Sequence, residues 1–162
     1  MIVVRLLEKV VSAAGQIAAY LILVLMVCMV FEVFSRYALG APTIWAYDLG
    51  YMLTGAIFIL GLGFTLKERA HIREEIFYAH FTERTRRMID IFGFGLIAIP
   101  VVGLLCFGLH GYFVEAFSSG ETAGQSAWNP ILWPFRLIML GGFLLLLLQL
   151  CLEVIGLLFK AK

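Results

Sequence analysis

The sequence predicts an all-α membrane protein in which four transmembrane helices form a single domain over residues 1–162. Of the 162 residues, 62% are hydrophobic and only 14% are charged, whereas a soluble domain averages about 45–50% apolar and about 25% charged residues. The apolar residues are concentrated in four runs of near-spanning length, separated by hydrophilic stretches. This excess of apolar side chains is predicted to face lipid rather than water.

The first two apolar runs are each long enough to cross a bilayer. Residues 17–36 would extend about 30 Å as a helix, which predicts helix one at about 13–37. Residues 49–66 contain no charged side chain and would extend about 27 Å. With an aromatic pair just before it, this second run predicts helix two at about 44–66.

The long hydrophilic stretch after helix two keeps apolar residues at helical spacing. This pattern predicts an amphipathic segment lying in the membrane interface at about 70–88, with Thr82 as a helix N-cap. Helix three follows at about 89–114 and contains Pro100, which usually kinks a membrane helix. After a loop rich in Gly and Ser, helix four is predicted at about 134–159.

The basic residues predict which helix ends face the cytoplasm. Ten of the twelve Lys and Arg residues lie near the termini or at 67–90, and basic residues of short loops stay cytoplasmic. Both termini and this loop are therefore predicted to be cytoplasmic. Trp45, Trp128 and Trp133 would then share the outer interface, where amphipathic rings are favoured. We expect a multi-pass protein of the bacterial inner (plasma) membrane.

Three ionisable residues near the first outer turn are the clearest candidates for a functional or structural cluster. Glu32 and Arg36 are one helical turn apart, which is the spacing of an ion pair, and Asp48 begins the next helix. The three could form a proton or ion relay, or a clamp that holds the helical hairpin together. A clamp is favoured because a relay needs titratable groups through the membrane. Tyr37 and Trp45 flank the cluster and are further clamp or subunit-interface candidates.

Polar residues near the opposite helix ends are weaker candidates for the same roles. His71 follows helix two, where the helix dipole and the exposed carbonyls favour an imidazole as a cap. Gln149 and Glu153 are one turn apart in the inner half of helix four. They either hydrogen-bond a partner helix or face inward water, and the sequence leaves both interpretations open.

The sequence shows no pattern typical of an enzyme, a cofactor site or a metal site. The three cysteines lie apart inside apolar runs and form no C-x-x-C pair, which disfavours a disulfide framework or a zinc site. His110 is predicted on the other side of the membrane from the two remaining histidines, which argues against haem. No basic stripe indicates nucleic acid. We predict membrane lipid as a partner, and no catalytic, cofactor-binding or metal-ligating residue.

An ordered set of motifs runs along most of the chain. The motifs are Glu32-Val-Phe-Ser-Arg36-Tyr37, Pro42 followed by Trp45 and Asp48, Ala70-His71-Ile72-Arg73, Arg84-Thr-Arg-Arg87 with Asp90, and Trp128-Asn-Pro130 through Gly142. With this set, the chain resembles the small membrane subunit of a tripartite ATP-independent periplasmic (TRAP) transporter. It departs from the usual family pattern in having Tyr47-Asp48 in place of two acidic residues, and Glu74-Glu75 in place of an apolar residue and an acid.

The resemblance implies a small, non-catalytic scaffold subunit of a sodium-driven secondary transporter. Its implied partners are a larger membrane subunit, which binds the substrate and sodium ions, and a periplasmic binding protein, which delivers the substrate. The implied substrates are organic acids, such as C4-dicarboxylates, sialic acid or similar carboxylates. The small subunit would steady the scaffold against which a transport domain moves, and Trp128 and Trp133 would help dock the binding protein.

A function from another class is a stand-alone proton-coupled four-helix exporter that uses Glu32 as its coupling carboxylate. Such an exporter predicts an acid at mid-depth in the membrane and minimal loops. Glu32 lies instead near the outer end of helix one, and the loop between helices two and three is long. A membrane redox enzyme is disfavoured by the lack of paired cysteines or same-side histidines.

Overall fold

The computed structural model describes residues 2–68, 81–124 and 126–159. These residues are almost entirely helical, and four of the helices are long and apolar enough to cross a membrane, as predicted. The elements are α1 (Ile2–Tyr37), α2 (Ala46–Lys67), α3 (Glu83–Ile91), a π-helix (Phe92–Ala98), α4 (Ile99–Ser119) and α5 (Trp133–Phe159). The segment from α3 to α4 is the third span, and α5 is the fourth.

The four spans pack side by side in the order α1, α2, α5, α4. The middle helix α2 packs against both α1 and α5, α5 also packs against α4, and α1 touches α5 only lightly. Accordingly, α2 is the most buried span: 28% of its apolar 18-residue window is buried, against 11% to 17% in the corresponding windows of the other spans. The helices therefore form an open row with two exposed faces rather than a closed bundle.

The chain crosses this row in alternating directions. The Nζ atom of Lys67, at the end of α2, donates to Ser12 Oγ near the start of α1 at 2.5 Å. The turn at 38–45 and the loop at 120–132 lie at the opposite end. We call these the termini end and the loop end of the row, and the two connections the first turn and the second loop.

Glycines allow the central helices to approach closely. A Cβ atom on Gly142 of α5 would lie 3.1 Å from the Ile59 carbonyl carbon of α2 and closer still to the Ile59 side chain. One turn further along each helix, a Cβ on Gly63 would lie 3.4 Å from the Leu145 backbone. Small residues at such positions let membrane helices pack backbone to backbone.

The helix bounds differ from the predicted ones chiefly in length. α1 begins at Ile2 rather than near residue 13, and its 36 residues would extend about 54 Å. α2 has 22 residues, or about 33 Å, so α1 projects past α2 at the termini end. The amphipathic start of α1 continues the helix, with Val11, Ala14 and Ala18 buried.

The third span also starts earlier than predicted. Thr82 caps α3, and its side chain accepts from the Thr85 backbone N–H at 3.4 Å, which confirms the N-cap. The π-helical turns end just before Pro100, which lacks an N–H and crowds the preceding turn. The span ends at Gly120, whose φ of 65° is the left-handed conformation that commonly terminates helices.

Two predictions about topology are the interfacial helix at about 70–88 and the cytoplasmic placement of the termini. Residues 69–80, which include His71 and most of the 70–88 segment, lie outside the described residues. The interfacial helix therefore stays a prediction. The cytoplasmic placement of the termini also stays a prediction, because helix packing does not show which end of the row faces the cytoplasm.

Candidate functional site: polar clamps at the loop end

Glu32 joins the end of α1 to the first turn. Its Oε1 atom accepts from Arg36 Nε at 2.9 Å and from Arg36 Nη2 at 2.5 Å. Its Oε2 atom accepts from the Thr43 backbone N–H at 2.9 Å and from the Thr43 hydroxyl. The carboxylate is buried, and all four donors come from this hairpin. The predicted i,i+4 ion pair is thus formed, and Thr43 extends it into the turn.

The first turn is also held by backbone and ring contacts. The Ser35 hydroxyl donates to the Ala41 carbonyl, and the Ala41 N–H donates back to the Ser35 carbonyl at 3.0 Å. Gly40 adopts a φ of 63°, which an L side chain rarely occupies. The Trp45 ring stacks on Phe31 with centroids 6.0 Å apart. These contacts connect the end of α1 with the start of α2.

Asp48 does not join Glu32 and Arg36, with which the sequence analysis grouped it, but hydrogen-bonds to another part of the chain. Its side chain is buried, and Oδ2 accepts a hydrogen bond from the Ser126 hydroxyl in the second loop. Within the described residues, no hydrogen bond or ion pair joins Asp48 to Glu32 or Arg36. The three ionisable residues therefore form two separate contacts, one within the hairpin and one between α2 and the second loop.

The second loop is itself folded. Thr122 and Ile131 form an antiparallel bridge, flanked by hydrogen bonds from Ala123 N to Pro130 O and from Leu132 N to Glu121 O, each 2.9 Å. At its tip, Asn129 has a φ of 45°, and its side-chain oxygen accepts from Gly124 N at 2.6 Å. The Ser126 oxygen that donates to Asp48 also accepts from Asn129 N at 3.1 Å.

Arg136 fixes the base of the second loop. Its Nη2 atom donates to Glu121 Oε1 at 2.6 Å, and Nη1 donates to the Tyr112 carbonyl at 2.9 Å. The guanidinium also lies 5.3 Å from the centroid of the Tyr112 ring, within the range of a cation–π interaction. Arg136 therefore connects α5, the second loop and α4.

Sequence reasoning singled out Glu32, Arg36 and Asp48 but missed the groups that complete their contacts. Thr43, Ser126 and Glu121 are ordinary loop residues in the sequence, and nothing local marks them as partners. Arg136, a single cation at the start of an otherwise apolar run, was the one sequence signal of an ion pair at the base of the second loop.

The remaining candidate residues are spread over both ends of the row. Tyr37 is 81% exposed and Trp128 is 40% exposed at the loop end, where Trp133 also lies, edge-on to the Phe117 ring at 5.6 Å. Gln149 and Glu153 lie toward the termini end. Gln149 is buried, and its Oε1 atom has no hydrogen-bond partner in the described structure, while Glu153 is half-buried and makes interactions of its own.

The described residues contain no group of three or more His, Cys, Asp and Glu side chains arranged to hold a metal ion. Cys28, Cys106 and Cys151 are separate free thiols. The contacts described above are thus hydrogen bonds and ion pairs that position helices and loops. They provide neither an arranged metal-ligand set nor a paired thiol.

Comparison with known proteins gives the family. Residues 25–160 match the sequence profile described as tripartite ATP-independent periplasmic transporters, DctQ component. A search of curated proteins found no match. The DctQ family consists of transporter components that work with other TRAP subunits, not of enzymes. The matched range includes the Glu32–Arg36 ion pair, the Asp48–Ser126 hydrogen bond and the α2–α5 contact. The chain therefore belongs to the DctQ component family of the tripartite ATP-independent periplasmic transporters.

Proposed function

We propose that this chain is the non-catalytic scaffold subunit of a sodium-driven transporter that imports organic acids across the bacterial inner membrane. It would work with a larger membrane subunit, which holds the substrate and sodium ions, and with a periplasmic binding protein. The observation that carries the proposal is the open helix row, whose polar contacts hold its connections together at the loop end.

The distribution of buried polar side chains supports a scaffold rather than a self-contained carrier. Carriers bind their solute near the bilayer midplane, commonly at broken helices. Among the described residues, Glu32, Ser35 and Asp48 lie at the loop end, and Asp90 and Gln149 lie in the half nearer the termini end. The α2–α5 contact between them is made by glycines, aliphatic side chains and, toward the loop end, the Tyr51 and Phe135 rings.

The contacts of Glu32 oppose the exporter alternative. A coupling carboxylate must exchange protons with substrate or water during each cycle. Glu32 accepts from Arg36 and Thr43 through both of its oxygens and lies beside the first turn. Those contacts suit a group that holds the end of α1 to the first turn.

The row also offers a face for a partner. An apolar groove of about 690 Å³ runs between α1 and α2, bounded by Met29, Phe58 and Tyr51 and bordered at its loop end by Arg36. A larger subunit seated along such a face would gain a rigid, wide anchor. Moving the charged and aromatic groups at the two ends of the row into hydrocarbon is unfavourable. The row would therefore resist displacement along the membrane normal.

Co-purification tests the proposal directly. The affinity-tagged chain is expressed with the larger membrane subunit and the periplasmic binding protein, and the complex is extracted in mild detergent. We expect the larger subunit to co-purify in fixed proportion, and the complex to take up an organic acid in response to a sodium gradient. Recovery of the chain alone from membranes that contain the larger subunit would overturn the proposal.

A further inference from the structure

A small acidic cavity lies at the termini end, where the start of α1 meets the last turns of α5. It encloses about 280 Å³ and is lined by Glu8 of α1, by Gln149 and Glu153 of α5, and by apolar side chains that include Val4, Leu152 and Phe159. None of the loop-end contacts involves these residues.

Gln149 indicates that this cavity lacks a hydrogen-bond donor. The residue is 3% exposed, and its side-chain carbonyl oxygen accepts no hydrogen bond in the described structure. A buried polar atom without a partner is destabilising, and native structures satisfy nearly all such atoms. Gln149 lines the cavity, and a rotation of its side chain would bring this buried oxygen to a donor placed there.

The charges around Gln149 select the kind of donor. Glu8 is half-buried, and its carboxylate makes no hydrogen bond or ion pair in the part of the chain that is described. Glu153 lies one helical turn beyond Gln149 and adds a second negative charge, although it has interactions of its own. Two carboxylates beside a carbonyl oxygen favour a cationic group with several N–H donors.

The level of the cavity suits a basic side chain from a neighbouring protein. Lys67, at the end of α2, donates to Ser12 of α1. Glu8 lies one helical turn closer to the N-terminus than Ser12, in the part of α1 that extends past the end of α2. This is the border of the apolar spans, and Lys and Arg residues are concentrated at such borders on the cytoplasmic side.

We propose that the acidic cavity receives one Lys or Arg side chain of the larger membrane subunit. This proposal rests on the scaffold function proposed above and adds a specific contact to it. The inserted group would donate to Gln149 Oε1 and would neutralise the negative charge of Glu8. A volume of about 280 Å³ accommodates one long side chain, whereas a two-chain phospholipid needs a larger apolar surface.

The test measures how well the larger subunit stays bound to variants of this chain. Glu8→Lys places a repelling charge in the cavity, and Gln149→Leu removes the acceptor. Glu68→Lys is the matched control, because Glu68 lies at the same end of the row with its side chain 51% exposed. We expect Glu8→Lys to lower the recovered larger subunit by at least about tenfold, Gln149→Leu to lower it less, and Glu68→Lys to leave it unchanged.

A milder substitution guards against a folding defect. Glu8→Gln keeps the side-chain shape but removes the charge. In the wild-type complex, recovery of the larger subunit should fall as the salt concentration rises, and we expect this dependence to be weaker in Glu8→Gln. The thermal unfolding of each isolated variant is measured in parallel, and no variant should melt below the wild-type chain; Gln149→Leu should melt slightly above it, because it removes a buried polar atom that has no partner there.

Several results would overturn the proposal. Recovery of the larger subunit by Glu8→Lys at the wild-type level would do so. A second such result concerns the isolated chain, if it melts at a higher temperature in sodium or potassium chloride than in choline chloride and Glu8→Gln abolishes this difference. The cavity would then bind a small cation. Restoration of a delipidated complex by phosphatidylethanolamine that depends on Glu8 would indicate a lipid headgroup. Failure of the wild-type chain to retain any larger subunit would instead refute the scaffold function itself.

Discussion

Asp48 at the start of α2 accepts a hydrogen bond from Ser126, which lies 78 positions later in the second loop. This contact connects the two loop-end connections of the row, because Asp48 directly follows the first turn. Asp48 is 4% exposed, so water competes little for the carboxylate. The contact therefore joins the hairpin of α1 and α2 to the loop between α4 and α5.

Replacing Asp48 with alanine should release the second loop. A hydrogen bond to a charged group contributes about 1.5–3 kcal/mol, and the Ser126 hydroxyl would lose its acceptor. We expect a lower melting temperature in detergent and faster proteolysis within residues 120–132. Asp48→Asn, which keeps a side-chain oxygen, should show a smaller effect. Equal proteolysis of wild-type and Asp48→Ala protein would show that the contact does not hold the loop.

Two adjacent glycines should respond oppositely to alanine. A Cβ on Gly142 would collide with Ile59, whereas a Cβ on Gly141 meets no atom within 4 Å. Overpacking of a close contact destabilises by about 1–3 kcal/mol, so Gly142→Ala should lower the free energy of unfolding by that amount. Gly141→Ala should be neutral or slightly stabilising, because alanine favours helix. Thermal unfolding of both variants decides this, and equal destabilisation by the two substitutions would contradict the α2–α5 contact.

Removal of the Arg36 side chain should weaken the scaffold without changing ion coupling. Arg36→Ala deletes two of the four donors to Glu32, and Thr43 supplies the other two. We expect less larger subunit to co-purify, while the sodium dependence of transport by the remaining complexes is unchanged. Arg36→Lys should give an intermediate loss, because an ammonium group cannot reproduce the planar guanidinium geometry. An altered sodium stoichiometry in intact complexes would argue against a purely structural clamp.

Arg136 should control the position of the second loop relative to α4. Arg136→Gln removes the ion pair with Glu121 and the contact with the Tyr112 ring. We expect weaker docking of the periplasmic binding protein, measured as an increase in its Kd for the reconstituted complex, together with faster proteolysis of the loop. Trp128→Ala tests docking separately, because this exposed ring makes no ring stacking contact in the described structure. Unchanged binding by both variants would exclude the second loop from the docking surface.

The number and sequence position of the membrane spans were predictable because the apolar runs are long and their boundaries are charged or aromatic. Glu32 and Arg36 were predictable as a pair, because helical spacing alone brings them together. The partner of Asp48 was not predictable, since Ser126 is distant in sequence and its approach depends on the order of helices in the row. Sequence adjacency suggests α1–α2 and α4–α5 neighbours, but it does not show that α2 packs against α5.

Local chemistry also explains what the sequence misjudged about helix lengths. The hydropathy of the first run rises near residue 13, yet the helix begins at Ile2 because amphipathic residues before the apolar core remain helical. Pro100 indicated a disturbance in the third span, but the disturbance takes the form of π-helical turns before the proline. The Gln149 oxygen, which has no hydrogen-bond partner among the described residues, could only be found once the packing of α5 was known.

The central claim is that this chain supports transport but holds no solute itself. Vesicles containing only the purified chain should accumulate no C4-dicarboxylate or sialic acid when a sodium gradient is imposed. Addition of the larger membrane subunit and the periplasmic binding protein to the same preparation should produce uptake of the organic acid that the binding protein recognises. Accumulation of an organic acid against its gradient by the chain alone would contradict this account.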